Sequence, residues 1–414
     1  MNAGALGRYR RVLSTPEVAP LMAAAYVARA PIGIDALAIV LFLRERTGSY
    51  AIAGAVAAAF AVGVGLGSPL AGRLVDRRGP RRVLVPLCLL HGVGLLGLVV
   101  LGTAGAPAGV LLADALLTGA LIPPVSSVLR ALWPTLLHAE PGLTSAAFAL
   151  DGVFVELIFV VGPLIVAGAT LLIAPQAALV LSVMLVVSGT LGFVVREPVR
   201  AWLAPEGARP AGLLGALAAP GLRTLVLTVV PFGFCFGAVE VTLPAFAEDE
   251  GARELAGLLL ACWSLASAAG GLAYGARDRS GRLAAMYVRI ALLLPLCFAP
   301  LAAATSIPLM AALLLPAGVV IAPLLSSGNQ LVSDVVPPGF ATEAYTWPIT
   351  SLVIGIAAGN AVAGAVVEAA DWRLSFAIAA SVAALGAVVV TTRRHTLSGP
   401  EPAAAQAAAP APAG

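Results

Sequence analysis

Gly72-Arg73-Leu74-Val75-Asp76-Arg77-Arg78-Gly79-Pro80-Arg81-Arg82 sets five arginines and one carboxylate between two long apolar runs, 50–72 and 83–102. A bilayer core about 30 Å thick needs roughly 20 apolar residues per helix, so the stretch reads as the loop of a membrane-crossing hairpin. The same pattern continues outward on both sides. Apolar segments near 18–43, 107–132, 144–170 and 172–195 complete six spans, and 222–245, 255–276, 283–303, 307–332, 342–367 and 372–392 add six more. The composition agrees: of 414 residues 60% are apolar and only 11% charged, where a soluble domain has about 45–50% and about 25%.

The expected fold class is therefore an all-α membrane protein with twelve transmembrane helices. The apolar start, with Arg8, Arg10 and Arg11 before it, resembles a signal peptide, but its run continues past Arg29 to Leu43 and eleven spans follow. Every positive side chain is an arginine, so none is lost by deprotonation. With the amino terminus in the cytoplasm, 18 of the 24 arginines fall on the cytoplasmic side, and Arg44, Arg46, Arg253 and Arg373 fall outside. That bias predicts both termini in the cytoplasm of a multi-pass cell inner (plasma) membrane protein.

Enzyme chemistry finds little to hold. Cys88, Cys235, Cys262 and Cys297 lie in apolar stretches without CxxC spacing, which argues against a disulfide framework, a zinc site or a redox pair. HExxH and GxSxG are absent, and a chain without lysine has no GxxxxGK. The sequence is read as that of a non-enzyme with no cofactor, no metal and no nucleic-acid partner.

An internal repeat divides the chain. Gly119, Ile122 and Pro124 match Gly318, Ile321 and Pro323 at an offset of 199; Asp76, Arg77 and Gly79 match Asp278, Arg279 and Gly281 at 202. Thr144 matches Thr342 at 198, while Ala147, Phe148 and Gly162 match Ala344, Tyr345 and Gly359 at 197. Three separate segments agree on a half-length near 200, so two pseudo-symmetric six-helix bundles are expected. The predicted boundaries are 1–195 and 222–397 for the bundles, 196–221 for a cytoplasmic linker, and 398–414 for a disordered Ala/Pro tail.

The stretch 72–82 resembles the GxLxDRxGRR loop signature of the major facilitator superfamily, and Arg277-Asp278-Arg279-Ser280-Gly281-Arg282 is a degenerate copy between spans eight and nine. Pro80 departs from the family pattern. The gating loop is read as Gly72, Asp76, Arg77, Gly79, Arg81, Arg82, Asp278 and Arg279. Asp76 can accept bonds from arginine or from a helix amino terminus, a latch that forms and breaks as two halves rock. Gly162-Pro163 with Gly168 is similar to the GPxxGG pattern of the family's antiporters, with the later glycines displaced. The basic residue of span four that many exporters of the superfamily carry is missing; Asp114 is the only charge there before Arg130.

Ionisable groups inside a bilayer are functional candidates by default. Arg29, Asp35, Asp151 and Glu156 are read as proton-coupling candidates, with Glu156 or Asp35 as the switching carboxylate and Arg29 its partner. A permanent buried pair that fixes helix register, or direct binding of charged substrate, are the alternatives. The resemblance implies that spans one, four, seven and ten line a central cavity, placing Arg29 or Asp35, Asp114 and Glu240 around one water-accessible space. Ser126, Ser326, Asn329, Phe232 and Phe234 are further cavity candidates. His91 reads as packing, and Pro123, Pro124, Pro231, Pro316 and Pro323 as breaks in spans four, seven and ten.

The resemblance implies a secondary transporter working by alternating access, and the expected activity is proton-coupled export of a small apolar or cationic compound by a monomer in the lipid bilayer. Uptake of a small polar metabolite by proton symport, and a non-transporting receptor or scaffold, are the alternative readings.

Overall fold

The computed structural model describes residues 3–202, 215–252, 255–276, 283–337 and 339–397. The degenerate loop copy with Asp278 and Arg279, the middle of the expected linker and the Ala/Pro tail lie outside the described residues. Among the described residues helix α1 (Ala3–Ser14) precedes twelve spans long and apolar enough to cross a membrane. Span one is α2 (Val18–Arg29) with α3 (Pro31–Thr47); spans two and three are α4 (Tyr50–Arg78) and α5 (Pro80–Thr103). Span four is α6 (Ala108–Ala120) with α7 (Val125–Leu136), and spans five and six are α8 (Thr144–Leu172) and α9 (Pro175–Val194). After the short α10 (Glu197–Arg200), spans seven to nine are α11 (Pro220–Asp249), α12 (Ala256–Gly275) and α13 (Leu283–Phe298). Span ten is α14 (Ile307–Val319) with α15 (Ile321–Val335), and α16 (Ala341–Ala369) and α17 (Trp372–Thr392) complete the set. No strand occurs among the described residues.

An even number of spans returns both ends of the chain to one face, here called the terminal face. At the opposite face several loops stop or start helices by side-chain capping: Ser49, Ser306 and Asp371 accept from the amides of Ile52, Leu309 and Leu374. Large apolar side chains such as Leu66, Leu70, Val93, Val100, Leu164, Leu265 and Leu296 stand exposed on the outside. In water such a belt would aggregate; in lipid it is the solvated surface.

Inside, helices approach through small residues, which is how apolar helices pack closely when lipid removes the hydrophobic drive between them. Gly119 of α6 lies on the Phe60 carbonyl of α4, and its repeat partner Gly318 of α14 lies on the Trp263 carbonyl of α12. Gly162 of α8 meets Gly33 of α3 backbone to backbone, and its repeat partner Gly359 of α16 meets the Phe234 carbonyl of α11. The sequence repeat is thus a repeat of helix crossings: spans two and four match eight and ten, and spans one and five match seven and eleven.

The prolines act unevenly. Pro123 and Pro124 separate α6 from α7, and span ten is interrupted at Val320, before Pro323. Span seven is not broken: α11 runs through Pro231 without interruption, against expectation. Gly386 of α17 lies against the Pro231 ring, so the neighbouring helix packs closely on the turn that carries the proline. Span one carries an unexpected interruption at Ala30, where Pro31 starts α3.

Candidate functional site

On the terminal face the loop after α4 closes onto the start of α16. Asp76 Oδ1 accepts from the Thr342 amide at 2.9 Å and Oδ2 from the Glu343 amide at 2.8 Å. These are first-turn amides of α16, unpaired within the helix and at its positive end, so a carboxylate satisfies both requirements at once. Arg73 clamps the Glu343 side chain with Nε to Oε2 at 3.0 Å and Nη2 to Oε1 at 2.8 Å, and the Ala216 amide adds a bond to Oε1 at 3.1 Å. Glu343 is fully buried. Gly72 is what permits the approach: a Cβ there would stand 2.8 Å from Glu343 Cα and 2.9 Å from Thr346 Cγ2. Of the loop's other residues, Gly79 turns the chain at φ 83, while Arg77, Arg81 and Arg82 stand exposed.

Further ties cross the same seam. Thr350 donates to the Gly65 carbonyl at 3.0 Å, and Ser145 of α8 donates to Gln330 Oε1 of α15 at 2.9 Å. Gln330 in turn donates to the Tyr274 hydroxyl at 3.1 Å. From α1, Tyr9 donates to the Leu272 carbonyl near the end of α12 at 2.6 Å. Burial pushes the Tyr9 phenol up to about 12, so it remains a donor at any physiological pH. Arg8 and Arg11 hold the other side of α1 to Gly142 and Glu140. The first six spans and the last six are therefore latched together at this face.

Within the membrane the charges sort into separate groups. Arg29 Nη1 meets Asp151 Oδ1 at 2.5 Å, and Arg130 Nε meets Asp151 Oδ2 at 2.8 Å. Both Arg29 and Asp151 are buried, and the Tyr26 ring lies 5.6 Å from the Arg29 guanidinium. This cluster ties spans one, four and five and, with all three groups ionised, carries one net positive charge. The partner expected for Arg29 was Glu156 or Asp35, and that pairing is corrected: it is Asp151. Residues 151 and 156 are five apart, about 140° around a helix, so they face different neighbours. The Gly33–Gly162 crossing leaves Asp151 on the terminal-face side, and the long Arg29 side chain reaches down to it.

Glu156 instead faces the last six spans, accepting from Ser267 of α12 at 3.3 Å. Asp35 is buried among helices of the first six, where it accepts from Ser182 of α9, and its second oxygen lies 3.6 Å from His91 Nε2. Neither Arg29 nor Asp35 lines open space, a second correction, because both point into packed helix faces. Asp114 also departs from expectation: a Cβ on Gly97 of α5 would lie 3.3 Å from its Oδ1, so it rests against span three. Glu240 is exposed and reaches Asn360 of α16.

Asn329 and Phe232 meet on one cavity of about 20 Å³, room for a single water, together with Thr228, Tyr287 and Pro348. Phe234, Ser126 and Ser326 are buried, and Ser326 faces Gly152 of span five. Three contributors escaped the sequence reading. Arg130 carries only the mark of a cytoplasmic-side arginine, Glu343 stands outside every motif, and His91 reads as packing. For Glu343 the available signal was an unpaired acid in the first turn of a span, next to the repeat residue Thr342.

A helical membrane protein of twelve spans, latched at one face by a carboxylate on a helix amino terminus, defines the class as a multi-pass carrier fold. The description Major Facilitator Superfamily matches residues 21–299 and 251–413, and the chain belongs to that family of membrane transporters. It is similar in structure to the human organic anion transporter MFSD10 (TETRAN), at 20% identity and a TM-score of 0.68, covering 92% of this chain and 99% of that one. It is also similar to a bacterial homologue of the iron transporter ferroportin in an outward-facing state, at 14% identity and a TM-score of 0.77, covering 91% and 99%. A second structure of that homologue, with soaked iron, gives 14% and 0.74, covering 91% and 98%. No curated protein matches the chain.

Proposed function

We propose that this transporter is a proton-coupled exporter of a small apolar or cationic compound, acting as a monomer by alternating access in the cell inner membrane with both termini cytoplasmic. The two rocking units are 1–195 and 222–397, joined by the linker 196–221. One observation carries the reading: Glu156 sits in the membrane on the seam between the two sets of spans, with the Ser267 hydroxyl as its hydrogen-bond donor. A carboxylate on a moving seam changes its surroundings as the seam opens, and a proton binds or leaves accordingly. Among the described residues Glu156, Asp114 and Glu240 have no arginine partner comparable to that of Asp151, which favours a cation over an anion in the pathway.

The test uses purified protein in liposomes with an imposed pH gradient and a panel of lipophilic cations. Substrate-dependent dissipation of the gradient is expected, and Glu156→Gln should keep substrate exchange while losing uphill transport. Loss of exchange together with uphill transport would overturn the coupling role. The net positive charge of Arg29–Asp151–Arg130 supports a second reading, proton-driven uptake of a small polar metabolite. The human structure of similar fold is described as an organic anion transporter, in line with that alternative.

A further inference from the structure

His91 is fully buried, and its Nδ1 lies 2.9 Å from the Thr118 carbonyl oxygen. A carbonyl only accepts, so Nδ1 carries the hydrogen. Thr118 is available because span four breaks just beyond it. The Ile122 amide turns to Gly119, Pro123 has no amide hydrogen, and the Leu121 amide reaches Thr118 at only 3.3 Å. With Nδ1 protonated, a neutral His91 presents a bare lone pair on Nε2. That atom faces Asp35 Oδ2 at 3.6 Å, and neither atom has a hydrogen-bond partner among the described residues. An ionised Asp35 beside a neutral His91 would hold two acceptors face to face out of reach of water, which is costly for both.

We infer that Asp35 and His91 form a site that binds one proton between them, with the histidine tautomer set by the break in span four. Whether the proton rests on nitrogen or oxygen, the inventory is the same: one proton is taken from water on loading and returned to water on release. Among the described residues no other ionisable side chain makes a hydrogen bond or ion pair with the two. From α9 the pair sees Ser182, and from α4 the Phe60 ring at 6.1 Å. Cys88 is the nearest other titratable residue along α5, and Asp114 of α6 stands one turn from Thr118 against Gly97. The Arg29–Asp151–Arg130 cluster lies on the other side of the Gly33–Gly162 crossing. Release of the proton sets Oδ2 against Nε2, driving His91, and with it the Thr118 end of α6, away from α3. The site thus ties proton occupancy to the bend of a broken span. It rests on the proton-coupled reading for its purpose, but not for its test.

His91, His138 and His395 are the three histidines. Replacing the last two with glutamine leaves one imidazole to follow by nitrogen NMR in the full chain in nanodiscs, alongside the infrared carboxyl band. At pH 7 the expected result is a protonated Nδ1 with either a protonated Nε2 or a carboxylic-acid band that Asp35→Asn removes. An ionised Asp35 beside a neutral His91, or an imidazole with Nδ1 bare, overturns the proposal, and the parent protein decides this even if Asp35→Asn fails to fold. Above the pH at which the signal is lost, hydrogen exchange at 119–122, corrected for its intrinsic pH dependence, should rise several-fold. Unchanged exchange there refutes the link to the bend. Neither readout involves transport, so failure here is separate from failure of the Glu156→Gln test.

Discussion

Asp76 of α4 and Glu343 of α16 are bonded backbone to side chain: the Glu343 amide donates to the Asp76 carboxylate at 2.8 Å while the Glu343 side chain is held by Arg73, three residues before Asp76. The two acids are neighbours without repelling strongly because each has its own cation or helix end. Hydrogen bonds to a charged group contribute about 1.5–3 kcal/mol each. Asp76→Ala should therefore weaken closure of the terminal face by at least about tenfold in population. Distance measurements between spin labels at 78 and 341 should show a new, longer population, with helical content unchanged. A single unchanged distance would show that other ties hold the face by themselves.

Gly72→Val tests steric fit rather than charge. The added carbons would enter the backbone of α16 beside Glu343, which has no flexible end to move aside. The same long-distance population is expected, with transport reduced at least as much as in Asp76→Ala and expression maintained. Gly79→Val should act differently, straining the turn at φ 83 with nothing of the neighbouring spans nearby.

The Arg29–Asp151–Arg130 cluster predicts non-additive stabilities. Arg29→Leu leaves Asp151 with Arg130 alone, whereas Asp151→Leu leaves a buried and a partly buried guanidinium group facing an apolar side chain. Breaking a buried pair costs about 3–5 kcal/mol, while replacing both members by apolar groups is often close to neutral. Asp151→Leu should lower thermal stability more than Arg29→Leu, and the double variant should recover part of the loss. Additive losses in a thermal unfolding series would show that the groups do not act as a pair.

Spans, repeat and loop signature were legible because each depends on local chain properties: apolar run length, glycine at a crossing, arginine at one face. The pairing of charges was not, because it depends on helix rotation and on where crossings fall. Arg29 and Glu156 do lie at similar depth below the Gly33–Gly162 crossing, yet the rotation of α8 turns Glu156 toward Ser267 and presents Asp151, further toward the terminal face, to the long Arg29 side chain. Pro231 likewise carries the sequence mark of a break, but Gly386 packs against it and α11 stays whole. His91 reads as an isolated polar residue until the Thr118 carbonyl, freed by prolines five and six residues on, is brought beside it.

Tyr9 gives α1 a role separable from its charges. Its hydroxyl bond to Leu272 reaches span eight, whereas Arg8 and Arg11 bind the loop before span five, so α1 spans the seam. Gly275 of α12 leaves the room: a Cβ there would stand 2.6 Å from the Tyr9 hydroxyl. Removing one such hydrogen bond costs about 1 kcal/mol, a roughly fivefold shift toward the unlatched state. Tyr9→Phe should make a cysteine placed at 272 several-fold more reactive to a water-soluble maleimide from the terminal face. Arg11→Ala, whose partner Glu140 lies on the same side of the seam, should leave that reactivity unchanged, and equal effects of the two changes would mean α1 acts only as a local cover.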